Sequence, residues 1–118
     1  MRIPTIIASV ASLMLLGAVT AHAHAHLDRA DPRVGSTVNA APREVSLSFS
    51  ENLETAFSTI KVTDASGQRV DEGKPSIEGN VMRVQLRAIP PGTYRVEWHV
   101  LSVDTHTTEG RFNFEVHP

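Results

Sequence analysis

Apolar residues recur at every second position in short runs along this chain, the period that a half-buried β-strand requires. Val45, Leu47 and Phe49 alternate with Ser46 and Ser48, Ile60 and Val62 flank Lys61, and Met82, Val84 and Leu86 alternate with Arg83, Gln85 and Arg87. The longest run sets Tyr94, Val96, Trp98 and Val100 against Arg95, Glu97 and His99; near the end Phe112, Phe114 and Val116 alternate with Asn113 and Glu115. Successive side chains on a strand point to opposite faces, so each run offers one face to a core and the other to water. On this reading Met82, Tyr94 and Trp98 are core residues and His99 lies on the surface. Asp31-Pro32, Asp64 to Gly67, Glu78-Gly79-Asn80 and Pro90-Pro91-Gly92 separate the runs with residues that preset or permit turn dihedrals. No run carries a sustained helical period, and Asn52 to Ser58 has room for one helical turn only. Six or seven short strands at this spacing predict an all-β chain, a Greek-key sandwich or small barrel.

The N-terminal region reads differently. Arg2 is the only charge ahead of an apolar run from Thr5 to Thr20, followed by Ala21-His22-Ala23-His24-Ala25-His26. A short basic start, an apolar middle and small residues at the cut are the parts of a secretory signal peptide. The run falls short of the roughly 20 apolar residues of a spanning helix and has no basic stop-transfer cluster behind it. Small residues permit cleavage after Ala21, Ala23 or Ala25, and each cut leaves a histidine first. A histidine at a new N-terminus offers its α-amine and its imidazole to one metal ion, a chelate suited to Cu(II). His22 reads as part of the cleavage region rather than as a ligand.

Cleavage after Ala23 leaves residues 24–118, a comfortable size for one domain. Without Arg2 there remain ten basic and thirteen acidic residues, a formal charge of −3. That sign argues against nucleic acid or an anionic membrane face as the main partner. The chain has no cysteine. An exported domain without disulfides must draw its stability from core burial, and thiolate metal chemistry and a lipid-anchoring cysteine are both excluded. The mature chain is expected to be soluble.

A second constellation is Ser102-Val103-Asp104-Thr105-His106. On an extended backbone Asp104 and His106 project to the same side, with Thr105 turned away, and two such side chains make half a metal site. Alone, the pattern equally describes a turn-capping aspartate beside a solvated histidine. Its place at the end of the Trp98 strand, where loops and an N-terminal strand can meet, favours the metal reading. Ser102, Asp104 and His106 do not make a hydrolytic triad, because three neighbours on one short segment cannot align nucleophile, base and orienter without a separate oxyanion hole.

These residues carry a family resemblance. The start His24-Ala25-His26-Leu27, then Pro32, Gly35-Ser36 and Pro42, then Leu47-Ser48-Phe49-Ser50-Glu51-Asn52-Leu53, Pro91-Gly92-Thr93-Tyr94-Arg95-Val96-Glu97-Trp98, and Val100 through His106 appear in an order that resembles the periplasmic copper-resistance protein C (CopC) family. The resemblance implies an immunoglobulin-like Greek-key sandwich or barrel of about seven strands that binds one Cu(II) per chain. The spacing to Pro32 makes His24 the first mature residue, which implies residues 1–23 as a cleaved leader and 24–118 as the copper-binding domain. It further implies His24, Asp104 and His106 as ligands, His26 as an additional ligand in some members, and Glu51 in a supporting role. Longer members carry a methionine-rich Cu(I) loop, whereas the only methionine after residue 23 is Met82, at an inward position. A single Cu(II) site and no Cu(I) site is therefore expected.

Two functional classes follow. A non-enzymatic periplasmic protein that sequesters or carries copper needs ligands and a receiving partner, such as an inner-membrane copper transporter. A copper monooxygenase also uses an N-terminal histidine brace, but it needs a broad aromatic substrate face and an open coordination position. A chain with 5% aromatic residues favours the carrier.

Overall fold

The computed structural model describes residues 26–118. Eight strands run in chain order: β1 (Leu27–Asp31), β2 (Thr37–Val38), β3 (Glu44–Phe49), β4 (Thr59–Thr63), β5 (Asp71–Glu78), β6 (Val81–Leu86), β7 (Gly92–Leu101) and β8 (Thr107–Val116). They form two four-stranded sheets, ordered β1-β3-β6-β5 and β2-β8-β7-β4. The pairings are antiparallel except that of β2 with β8. The architecture is the expected immunoglobulin-like sandwich, and the helical allowance between Asn52 and Ser58 is met by one 3₁₀ turn, Thr55–Phe57.

The alternating runs became β3, β4, β6, β7 and β8, and their inward residues form the core. Val45, Leu47, Phe49, Val62, Met82, Val96 and Val100 are wholly buried, with Tyr94, Phe112, Phe114 and Val116 beside them. Each such side chain contributes about 1.5–3 kcal/mol on leaving water. That burial substitutes for a disulfide framework. Met82 is core filler, as its position in the alternation required.

Eight strands formed, beside about seven expected, because β1, β2 and β5 alternate weakly; they take three of the four sheet edges, with β4 at the fourth. β5 is largely exposed, breaks register with β6 between Glu72 and Ser76, and carries Gly73 and Pro75 inside that irregularity. A charged, bulged edge is poorly suited to pairing with another chain. The same features hide a strand from period-two reading.

Two turns act as their residues required. Asp64 accepts the backbone N–H groups of Ser66 and Gln68 at 3.0 and 2.9 Å, an Asx turn. Gly79, at φ 63°, turns β5 into β6, and the neighbouring Asn80 amide donates to the Phe49 carbonyl at 2.7 Å.

The hairpin of β7 and β8 pairs without interruption from Gly92↔Val116 to Leu101↔Thr107. Trp98 lies opposite Gly110, makes an edge contact with Phe49 of the other sheet at 6.1 Å between centroids, and leans on Phe112 at 6.2 Å. It bridges the sheets yet is only partly buried. Its sequence position as a core aromatic is thus half fulfilled, with the indole packed over Gly110, where no Cβ stands in its way.

Candidate metal centre

Asp104 and His106 sit in the link that joins the long hairpin strands. Its backbone closes on itself: Ser102 N–H donates to the His106 carbonyl and Thr105 N–H to the Ser102 carbonyl, both at 2.9 Å. Thr105 takes φ 73°, the only non-glycine residue at positive φ among those described. A β-branched residue is strained there. The expectation of an extended Asp-x-His is corrected accordingly: a tight turn, not strand geometry, carries the pair.

The turn nevertheless brings the two side chains together. Asp104 Oδ1 lies 3.4 Å from His106 Nδ1, with both side chains accessible. The buried Ser102 hydroxyl donates to Asp104 Oδ1 and is also 3.2 Å from the His106 carbonyl. That Ser102 hydrogen bond, followed by the hydrogen bond and charge of His106, holds the Asp104 carboxyl below its ordinary range against the opposing effect of desolvation. Sequence reasoning considered Ser102 only as a nucleophile. The structure makes it the group that orients a carboxylate, and the signal lay in its inward strand position two residues before an aspartate.

The remaining candidates reach this end of the sandwich through the backbone. His26 N–H donates to Ser50 Oγ and Ser50 N–H to the His26 carbonyl, both at 2.9 Å. Two residues on, the Asn52 carbonyl accepts Val103 N–H at 2.9 Å, and Leu53 bridges to Ser102. Glu51, half-buried, lies between these two attachments. The start of β1, Glu51 and the Asp104–His106 turn therefore share one end of the molecule. The imidazole of His26, however, faces Asp28, with Nε2 3.1 Å from Oδ1. His24 lies outside the described residues.

Asp104 and His106 offer one oxygen and one imidazole nitrogen, donors that suit Cu(II) and other borderline divalent ions. Among the described residues no three His, Asp or Glu side chains are grouped closely enough to hold a metal ion. The pair is thus a partial donor set at the end of the sandwich where the described residues begin. Met82, at 0% exposure, offers it no thioether.

The other histidines are elsewhere. His99 is exposed on β7 opposite Glu109 and Thr59, and it lines a basin of about 770 Å³ with Lys61, Glu97, Glu109 and Arg111. The charges in that basin are of mixed sign, and none of residues 102–106 borders it. His117 is exposed, and its backbone N–H is tied to the Val38 carbonyl at 2.9 Å.

Comparison with known proteins agrees with this architecture. The CopC domain model matches residues 27–117. Protein YobA of Escherichia coli K12 is 39% identical over 99 residues, spanning 80% of this chain and 79% of that protein. The copper transport protein CutJ of Bacillus subtilis is 35% identical over 101 residues, which are 82% of this chain but 19% of CutJ. Among solved structures, PcoC, a methionine-rich copper resistance protein from Escherichia coli, superposes with a TM-score of 0.71 at 37% identity, covering 80% of this chain and all of PcoC. A two-sheet sandwich on this plan, matched from the first residue of β1 to the residue after β8, makes the chain a member of the CopC family.

Proposed function

We propose that this chain is an exported, non-enzymatic copper carrier or buffer that holds one Cu(II) between its processed N-terminus and the β7–β8 turn. Residues 1–23 are the leader, and cleavage creates the α-amine of His24 in the periplasm. That amine and the His24 imidazole join Asp104 and His106, giving three nitrogens and an oxygen, a set suited to a tetragonal Cu(II) site. Glu51 supports the site from the adjoining loop. His26 joins it only by leaving Asp28. The observation that carries the reading is the Asp104–His106 pair at 3.4 Å on the end of the sandwich where β1 begins. The family membership and the names of the copper-handling relatives support it. The CutJ match, one fifth of a copper transport protein, further supports a transporter in the inner membrane as the receiving partner.

The decisive experiment is electron paramagnetic resonance of the Cu(II)-loaded mature chain beside the same chain carrying one extra N-terminal residue. The extension displaces the amine from position, so the copper spectrum must change; an unchanged spectrum removes His24 from the site. Protons compete with metal for amine and imidazole nitrogen, so affinity weakens as pH falls through mildly acidic values. Affinity unchanged down to about pH 4 contradicts this donor set. Uptake of a second copper, as Cu(I), at comparable affinity overturns the single-site reading, and oxygen-dependent glycan cleavage by the loaded protein overturns the carrier reading.

A further inference from the structure

Phe57 and Val103 are large apolar side chains left 63% and 51% exposed. Both stand on segments hydrogen-bonded to one another beside the Asp104–His106 turn. Val103 directly precedes Asp104, and its N–H is held by the Asn52 carbonyl. Phe57 ends the 3₁₀ turn Thr55–Phe57, all three residues of which are exposed. The turn projects for a specific reason. Glu54 N–H donates to the Leu101 carbonyl at 2.8 Å, while Leu101 N–H donates to Ser58 Oγ at 3.2 Å. Both ends of the turn thus clamp on the same residue, and the three residues between have no place in the ladder. Phe57 stands on an anchored loop, so little backbone entropy remains to be lost when it is covered.

A lone exposed apolar residue is ordinary. Val34, 59% exposed, is such a case, and it lies beside Gly35, whose N–H is tied to the Asn113 carbonyl far from the hairpin tip. Phe57 and Val103 differ in standing on two segments tied to each other at this end of the sandwich, Val103 directly before Asp104 and Phe57 on the clamped turn that follows Glu54. An apolar anchor with Asp104 and Glu54 close by in the chain is complementary to an apolar cleft rimmed by basic residues. The identity of the owner comes from CutJ, in which a region like this chain makes up 19% of a copper transport protein. In that relative the matched region is one part of a longer copper transport protein; separate chains need a surface to meet.

We infer that Phe57 and Val103 form the docking anchor through which this chain presents its copper-binding end to a copper-transporting membrane protein. The inference rests on the carrier reading for its purpose but is tested apart from it. The full chain is exported in its own cells with the photo-crosslinking residue p-benzoylphenylalanine in place of Phe57 or, as control, of Val34. Irradiation is expected to join position 57, and not position 34, to a copper-transporting membrane protein identified by mass spectrometry. Crosslinking only to a second copy of the chain, to an unrelated protein, equally from both positions, or not at all overturns the inference. In a second measurement the probe is moved to position 103. Phe57→Ser should then lower capture about tenfold or more, as truncation of an apolar anchor does, while the Cu(II) spectrum of that variant matches the parent. Unchanged capture also overturns the inference. If the parent takes up no Cu(II) yet crosslinks from position 57 as described, the carrier reading fails and the docking surface stands.

Discussion

Replacing Asp71 by alanine removes the acceptor for Val62 N–H, bonded at 2.8 Å, and the partner of Arg69, whose Nε and Nη2 lie 3.2 and 2.8 Å from the two carboxylate oxygens. The Asp71 side chain is 4% exposed whereas Arg69 is 59% exposed, so the cost falls mainly on the stranded backbone donor. Asp71→Ala is expected to lower stability by about 1–3 kcal/mol, read as a lower urea midpoint. Asp71→Asn, which keeps an oxygen for Val62, should cost less. Burial pushes the Asp71 carboxyl up, but the Arg69 and Val62 hydrogen bonds outweigh it and hold the group below its ordinary value. A depressed folded value contributes stability that is full above the unfolded carboxylate value, near 3.9, and is lost as pH falls through the folded one. The gap between parent and Asp71→Asn should therefore narrow below about pH 4. A gap that is constant from neutral pH down to about pH 2 would sink that assignment. Ser102 is the second residue with a defined cost. Ser102→Ala should leave Asp104 without its orienting hydrogen bond and weaken Cu(II) binding about 10–100-fold, measured by competition titration, with the sandwich intact by circular dichroism.

Among the elements, the β7–β8 hairpin contributes most to both core and site. Its weak point is Gly110, where an added Cβ would stand 2.5 Å from Trp98 Cζ2 and 2.7 Å from Cη2. The indole is wedged between Phe49 and Phe112 and has little room to yield. Gly110→Ala is expected to cost about 1–3 kcal/mol by overpacking and to shift the emission of Trp98, the only tryptophan. Parent-like stability and emission would mean that the indole is free to move. At this scale the sequence was legible where strands are covered on one face and exposed on the other: β3, β4, β6, β7 and β8 follow from alternation alone. β1, β2 and β5 were not, because each is short or largely exposed and buries too few apolar residues to alternate, unlike β4, an edge strand that buries Ile60 and Val62. The Asp104–His106 pair was legible by residue type and not by geometry. Nothing local announces that Thr105 adopts positive φ; closure of the turn by Ser102 and His106 imposes it.

For the whole molecule, the copper reading makes a thermodynamic prediction. A ligand that binds only the folded state stabilises it by about 2.7 kcal/mol at a hundredfold excess over Kd. Copper should therefore raise the Tm of the chain beginning at His24, and raise it less when one residue precedes His24. Equal shifts for the two chains would mean that the metal binds elsewhere. The charge balance, the lack of cysteine and the alternating strands are properties of composition and local order. They determined the fold class and the chemical types of side chain available without reference to tertiary structure. Which residues meet was decided only by the fold. His26 and Ser50, and Asn52 and Val103, are far apart in sequence and are joined by backbone hydrogen bonds that set Leu53 against Ser102. Bonds between backbone groups carry no side-chain signature, so the sequence by itself supplied the candidate residues, and the packing of two sheets decided that His26, Glu51 and the Asp104–His106 turn share one end.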